Sequence, residues 1–196
     1  MVSLCFLRLS GHPCATFSAY FRVPISSVLF SCSGGSLLRP GKVLCDRQDG
    51  GHLIVTPPRE VWERSCLNPL ELAHWSLLVA ATGRAMLDVL PVLKDGCINY
   101  WEAGNWALHE LAEPVGSKTP QLHRRVHLHV FGRSRLARHA DWRWGESPKF
   151  PDFVDSGPWS ARFAALDFAE CEAVTTRLAS LMATDFYLPQ QAPGNP

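Results

Sequence analysis

Residues 121–135 read Gln-Leu-His-Arg-Arg-Val-His-Leu-His-Val-Phe-Gly-Arg-Ser-Arg, and the parity within this stretch decides the fold. Val126, Leu128 and Val130 fall on one parity, and His127 and His129 fall on the other. Such alternation marks a half-buried strand, because successive side chains of a strand point to opposite faces of the sheet. The apolar set faces a core, and the two imidazoles share the open face. Residues two apart on a strand lie roughly 6.5–7 Å apart along it, so one small group can touch both histidines. Arg125 has the same parity, Arg124, Arg133, Arg135 and Arg138 flank the segment, and no Asp or Glu occurs between Glu113 and Asp141. Two imidazoles in a cationic frame suit a phosphate substrate, since guanidinium groups bind phosphate oxygens bidentately.

Metal ligation is the competing chemistry, because imidazole also serves zinc and iron. A metal-binding His-X-His strand of the cupin type wants a Glu a few residues on. The residues that follow here are Val130, Phe131, Gly132, Arg133 and Ser134, with no acid. A cation would also be repelled by the arginines. No metal ligand and no cofactor are assigned.

Working upstream, His52-Leu-Ile-Val-Thr56 reads as a strand that Pro57-Pro58 terminates, because proline cannot donate to a sheet ladder. Residues 42–45 (Lys-Val-Leu-Cys) read as its hairpin partner across the turn chemistry of Asp49-Gly50-Gly51. Asn68, Pro69 and Glu71 open a helix with an N-cap, a first-turn proline and a capping box. It runs to about Leu90, where Pro91 stops it, with Leu72, Trp75, Val79, Met86 and Leu90 on one face. Residues 97–101 read as a strand, left by a turn at Gly104-Asn105. Tyr100, Trp101 and Trp106 are candidates to wall a pocket, although aromatic clusters more often build core. His109 and His123 fall in the following loop and are expected to be exposed.

Two motifs in this order resemble the histidine-triad (HIT) family. The run Arg125-Val-His-Leu-His-Val-Phe131 is similar to the family signature His-φ-His-φ-His-φ-φ, where φ is apolar, with Arg125 at the first His position. Gln121 stands four residues ahead of that position, where many members carry Gln. Gly51-His-Leu-Ile-Val-Thr-Pro57 is similar to the family's Gly-His-Leu-Leu-Val-Ile-Pro strand, and a helix and a strand follow it in the family's order. The resemblance spans residues 42–135, and the stretch between Asn99 and His127 is longer than in compact members. It implies that His127 is a nucleophile forming a nucleotidyl-histidine at an α-phosphate. It further implies that His129 binds phosphate and helps to protonate the leaving group, and that His52 orients the site. Gln121, Arg125, Asn99 and Asn105 would contact substrate; the two asparagines are alternatives for a phosphate or ribose contact, and each is also an ordinary turn-former. The implied substrate is a dinucleoside polyphosphate such as diadenosine tetraphosphate, and many members form homodimers.

The rest of the chain sets boundaries. Its 196 residues, 46% hydrophobic, supply one full core, and the net charge of +1 makes any electrostatic role local. No nucleic-acid partner is expected. Seven scattered cysteines without a Cys-X-X-Cys read as reduced thiols of a cytoplasmic protein. No apolar run approaches the roughly 20 residues that span a bilayer, and Arg8 within the short apolar start argues against a secretory signal. Residues 1–41 form a poorly defined segment with breaks at Ser33-Gly34-Gly35 and Pro40-Gly41 and a possible edge strand at 27–32; its first residues are expected to be disordered. Residues 136–188 form a C-terminal extension, first irregular and rich in Trp and Pro, then a helix capped by Asp167 and Glu170. In that helix Cys171, Val174, Leu178 and Leu181 face inward, and residues 189–196 are a disordered tail. The expected fold is α+β: an antiparallel sheet of about five strands, one long packed helix and a C-terminal helix. Three functions are compatible with these residues: a histidine-triad nucleotide hydrolase or transferase, a nucleotide-binding protein without turnover, and a metal-dependent His-X-His enzyme.

Overall fold

The alternating segment is an interior strand. The computed structural model describes residues 26–188. Five strands run in chain order: β1 (Ser27–Cys32), β2 (Gly35–Arg39), β3 (His52–Thr56), β4 (Cys97–Ala103) and β5 (His127–Arg133). Four α-helices accompany them: α1 (Pro69–Val89), α2 (Pro120–His123), α3 (Ser156–Ser160) and α4 (Phe168–Thr184). The strands form one sheet in the order β1-β2-β3-β5-β4, with every neighbouring pair antiparallel. The fold is therefore α+β, as the sequence predicts.

Parity sorts the two faces of the sheet. Leu53 and Val55 of β3, with Val126, Leu128 and Val130, pack against Trp75, Leu78 and Met86 of α1 and Val174, Leu178 and Leu181 of α4. Burying each such side chain contributes about 1.5–3 kcal/mol, so this face carries most of the stability. Both long helices begin with the capping boxes read from sequence: Asn68 with Glu71 and Asp167 with Glu170 exchange bonds of 2.9 Å. Each box satisfies two backbone donors that a helix start leaves without partners.

On the opposite face the extension forms a cover. Trp142 and Phe163 are buried with Phe131, Val43, Leu44 and Cys45, and Phe150 and Trp159 pack against them. This second apolar cluster corrects the reading of residues 42–45 as a strand. Val43, Leu44 and Cys45 are buried, but residues 42–45 belong to no strand and pair with no neighbour in the sheet. Their backbone bonds go to side chains instead: Val43 N–H donates to Ser160 Oγ at 2.7 Å, and Trp142 Nε1–H donates to Leu44 O at 2.9 Å. Asp49-Gly50-Gly51 thus leads an irregular segment into β3 rather than closing a hairpin.

The hairpin lies earlier. Residues 27–32 are the expected edge strand, but the break at Ser33-Gly34 is the turn into β2, a strand that the sequence did not reveal. The sheet starts at Ser27, not at Lys42. The disorder expected at the start of the chain and in residues 189–196 lies outside the described residues. Among the described residues the five cysteines are free, and no helix is long and apolar enough to cross a membrane.

One close approach locks β5 to the loop ahead of His52. A Cβ on Gly132 would lie 2.1 Å from Gly50 O, and a Cβ on Gly50 would lie 2.3 Å from the Gly132 carbonyl carbon. Gly50 also has φ of +132°, a region that side chains strain. Backbone meets backbone here, so neither position can yield by rotating a side chain. Gly132→Ala is expected to destabilise the protein by about 1–3 kcal/mol, the usual range for overpacking, measured by urea denaturation. An unchanged midpoint would show that the contact is not tight.

Candidate active site

Three imidazoles form one hydrogen-bonded chain on the covered face of the sheet. The register places His52 opposite Phe131 and Ile54 opposite His129, so β3 delivers His52 beside His129. His52 Nε2 lies 2.7 Å from His129 Nδ1, and His129 Nε2 lies 3.2 Å from His127 Nε2. The two ends of the chain are backbone groups. Leu44 N–H reaches His52 Nδ1 at 3.2 Å, and His127 Nδ1 lies 2.9 Å from Arg125 O.

These ends fix every tautomer. An amide N–H only donates, so His52 Nδ1 carries a lone pair and its proton is on Nε2. That proton goes to His129 Nδ1, leaving the second His129 proton position at Nε2, directed at His127 Nε2. A carbonyl only accepts, so His127 holds its proton on Nδ1. All six ring nitrogens are satisfied, and the outermost lone pair belongs to His127 Nε2 at the cleft.

Burial keeps the chain neutral. His52 is 1% exposed and His129 8%. Desolvation, with His129 and His127 beside it, holds His52 well below the ordinary imidazole range. Desolvation and the neighbouring His127 push His129 down to about 3. Desolvation also lowers His127, helped by Arg124 and opposed by the Arg125 carbonyl bond and by Glu102. Aromatic rings complete the exclusion of water. Phe131 stacks on His52 at 4.5 Å, and Trp101, opposite His129 across β4, stacks on its ring at 5.5 Å.

His127 and His129 open into a cleft of about 580 Å³. Its walls come from residues 40–44, the β4 end, the turn at residues 104–107 and Arg125. Of the two candidate asparagines, Asn105 lines it, with its Oδ1 accepting from Arg124 Nε at 3.1 Å. Asn99 lies on the imidazole face of β4 but opposite Phe131, away from the cleft wall. Gln121 is exposed on α2 and does not line the cleft. Trp101 and Trp106 wall the cleft, whereas Tyr100 has the other parity and its hydroxyl packs against Gly83 of α1. His109 and His123 are not exposed as expected: His109 stacks on Phe153 at 4.4 Å, and His123 lines the cleft.

The cationic frame is narrower than the sequence suggests. Arg125 lines the cleft and pairs with Glu60 at 3.0 Å; Arg124 pairs with Glu63 at 2.9 Å. Arg133 is buried, and its guanidinium donates to the carbonyls of Arg143 and Glu146. Arg135 and Arg138 lie at the far end of β5, on a separate cleft with Lys94. Two participants were not singled out from sequence for the site. Leu44 contributes only a backbone N–H, which no side-chain pattern can signal, and Lys42 lines the cleft from a segment taken for a strand.

Among the described residues no three His, Cys, Asp or Glu side chains are grouped to hold a metal ion. No protein-family model and no curated protein matches the chain.

A chain of neutral imidazoles makes stability depend on acid. Unfolded histidines titrate near pH 6.5, whereas these stay neutral when folded, so the unfolded state binds more protons as pH drops. Their contribution is complete above about pH 6.5 and declines toward about pH 3, where His129 itself charges. The expected slope is about 1.4 kcal/mol per pH unit for each neutral imidazole. Urea unfolding from about pH 7.5 to about pH 4.5 should show a shallower decline for His129→Asn than for wild type. Parallel curves would contradict this assignment.

Proposed function

We propose that the protein is a nucleotide phosphohydrolase or nucleotidyltransferase of the histidine-triad type. Its substrates would be dinucleoside polyphosphates such as diadenosine tetraphosphate, or related nucleotidyl compounds with phosphoanhydride or phosphoramidate bonds. The supporting observation is the oriented imidazole chain: His127 lines the cleft with its proton held on Nδ1 by a carbonyl, which leaves the lone pair on Nε2, where it accepts from His129.

The chemistry follows from those atoms. His127 Nε2 attacks the α-phosphorus, a P–N bond forms, and the P–O bond to the leaving group breaks with its electron pair departing on oxygen. The His127 ring becomes cationic, and its Nδ1–H bond to Arg125 O at 2.9 Å strengthens as charge develops. Attack also frees His129 Nε2–H from His127, so that this N–H can donate a hydrogen bond to a phosphoryl oxygen while the leaving phosphate departs as an anion and His129 stays neutral. His52 Nε2–H keeps His129 in the tautomer that this step requires. Water, or another acceptor, then attacks phosphorus and breaks the P–N bond, whose electron pair returns to Nε2 and restores neutral His127 while the proton of the attacking hydroxyl is lost to solvent.

Arg125 at the first triad position is compatible with this scheme. The position serves His127 through its backbone carbonyl, which any residue supplies. Its side chain is tied to Glu60, which is 81% exposed, and to the exposed Arg124 carbonyl at 2.8 Å, and surface pairs of this kind are worth about 0–1 kcal/mol. The guanidinium can therefore turn to a phosphate at little cost. It cannot act as an acid or base, and that observation favours the second reading, a nucleotide-binding protein without turnover. The five free cysteines fit a reducing, cytoplasmic setting, and the open edge of β4 would be the surface on which two copies pair.

The deciding experiment is intact-protein mass spectrometry of samples quenched seconds after adding diadenosine tetraphosphate. A covalent adduct of one AMP, absent in His127→Asn, is the expected result. Steady-state turnover in that variant should fall at least about a thousandfold with the fold retained. Nucleotide binding without adduct or products would establish the second reading, and unchanged turnover in His127→Asn would overturn the first.

A further inference from the structure

We infer that Lys42 is a specificity-determining residue of the cleft, the cation that binds an anionic, polyphosphate leaving group. The inference rests on the nucleotidyl-transfer function proposed above and adds a requirement for the far side of the scissile bond.

Charge partners single Lys42 out. Arg124 is committed to Glu63, Asn105 and the Trp62 carbonyl, and Arg125 is paired with Glu60. Lys42 has no carboxylate partner among the described residues. Among the described residues its ammonium makes one hydrogen bond, to Ser156 Oγ at 2.8 Å. Ser156 is 1% exposed and donates its own proton to Phe153 O at 2.6 Å, so its lone pair faces the ammonium. An ammonium has three donors and this contact uses one, which leaves two for a ligand in the cleft that Lys42 lines.

The side chain is also held in place. The backbone beneath it is fixed by Ser160 at Val43 and by Trp142 at Leu44, and its Nζ sits 5.7 Å from the Phe153 ring centroid. A preorganised cation in a mostly apolar cleft attracts phosphate more strongly than one in bulk water. A purely structural lysine would be tied to a carboxylate or turned to solvent; this one is aimed by a neutral hydroxyl. Lysine suits the task because it acts as a point charge on a terminal phosphate and needs no planar match.

The test compares two substrates with a common AMP half. Diadenosine tetraphosphate releases an anion, whereas adenosine 5′-phosphoramidate releases a neutral amine. Lys42→Gln should lower kcat/KM for the tetraphosphate about a hundredfold and leave the phosphoramidate within about threefold of wild type, and Lys42→Arg should recover most of the loss. Equal losses on both substrates, or no loss on the tetraphosphate, would overturn the assignment. Calorimetric titration with inorganic tripolyphosphate gives a readout independent of turnover: wild type should bind, and Lys42→Gln should bind at least about tenfold more weakly. Equal affinities would remove the role of Lys42 even in an active enzyme. Wild-type turnover of neither substrate, with lysine-dependent tripolyphosphate binding, would instead overturn the hydrolase reading and retain the anion site.

Discussion

The short hydrogen bond between His52 and His129, 2.7 Å across the β3–β5 boundary, is the interaction on which the remainder of the site depends. Two neutral imidazoles can bond only when one donates and the other accepts, and the direction here is imposed from outside, by an amide at one end of the chain and a carbonyl at the other. Neither end can titrate. A proton added to any ring would set two N–H groups against each other, and at His52 and His129 it would do so in the protein interior. The fold thus enforces neutrality by geometry as well as by desolvation, and a buried polar network of this kind stabilises only when every member is satisfied.

This constraint explains why the sheet needs two apolar clusters. The larger one, under α1 and α4, is the ordinary core of an α+β domain. The smaller one covers the imidazole face with Phe131, Trp142 and Phe163 and fixes residues 43–44 through side chains of the extension. Without that cover Leu44 N–H has no fixed position, and the direction of the imidazole chain is lost with it.

The legible features were those that announce themselves locally. Alternation exposed β5 and its two histidines, capping residues exposed α1 and α4, and Pro57-Pro58 exposed the end of β3. The pairing of His52 with His129 was not encoded locally, since it depends on register between strands 77 residues apart. Residues 42–45 misled because a short apolar run reads alike in a strand and in a buried irregular segment; tertiary cover decided between them. The arginines misled for a related reason. Counting charges along β5 cannot show that Arg133 turns toward carbonyls of the extension or that Arg135 and Arg138 end on another cleft. Asn99 and Asn105 were indistinguishable until the strand end at Ala103 set which of them reaches the cleft.

The covering segment also imposes an order on assembly. During synthesis β3 can pair with β5 once residue 133 has emerged, and the three histidines are then already on one surface. The segment that carries the orienting amide, however, is bonded by Trp142 and Ser160, which leave the ribosome later. Only when the segment after β5 folds back over the sheet does the cluster become dry and directional, so maturation of the site is coupled to docking of that segment.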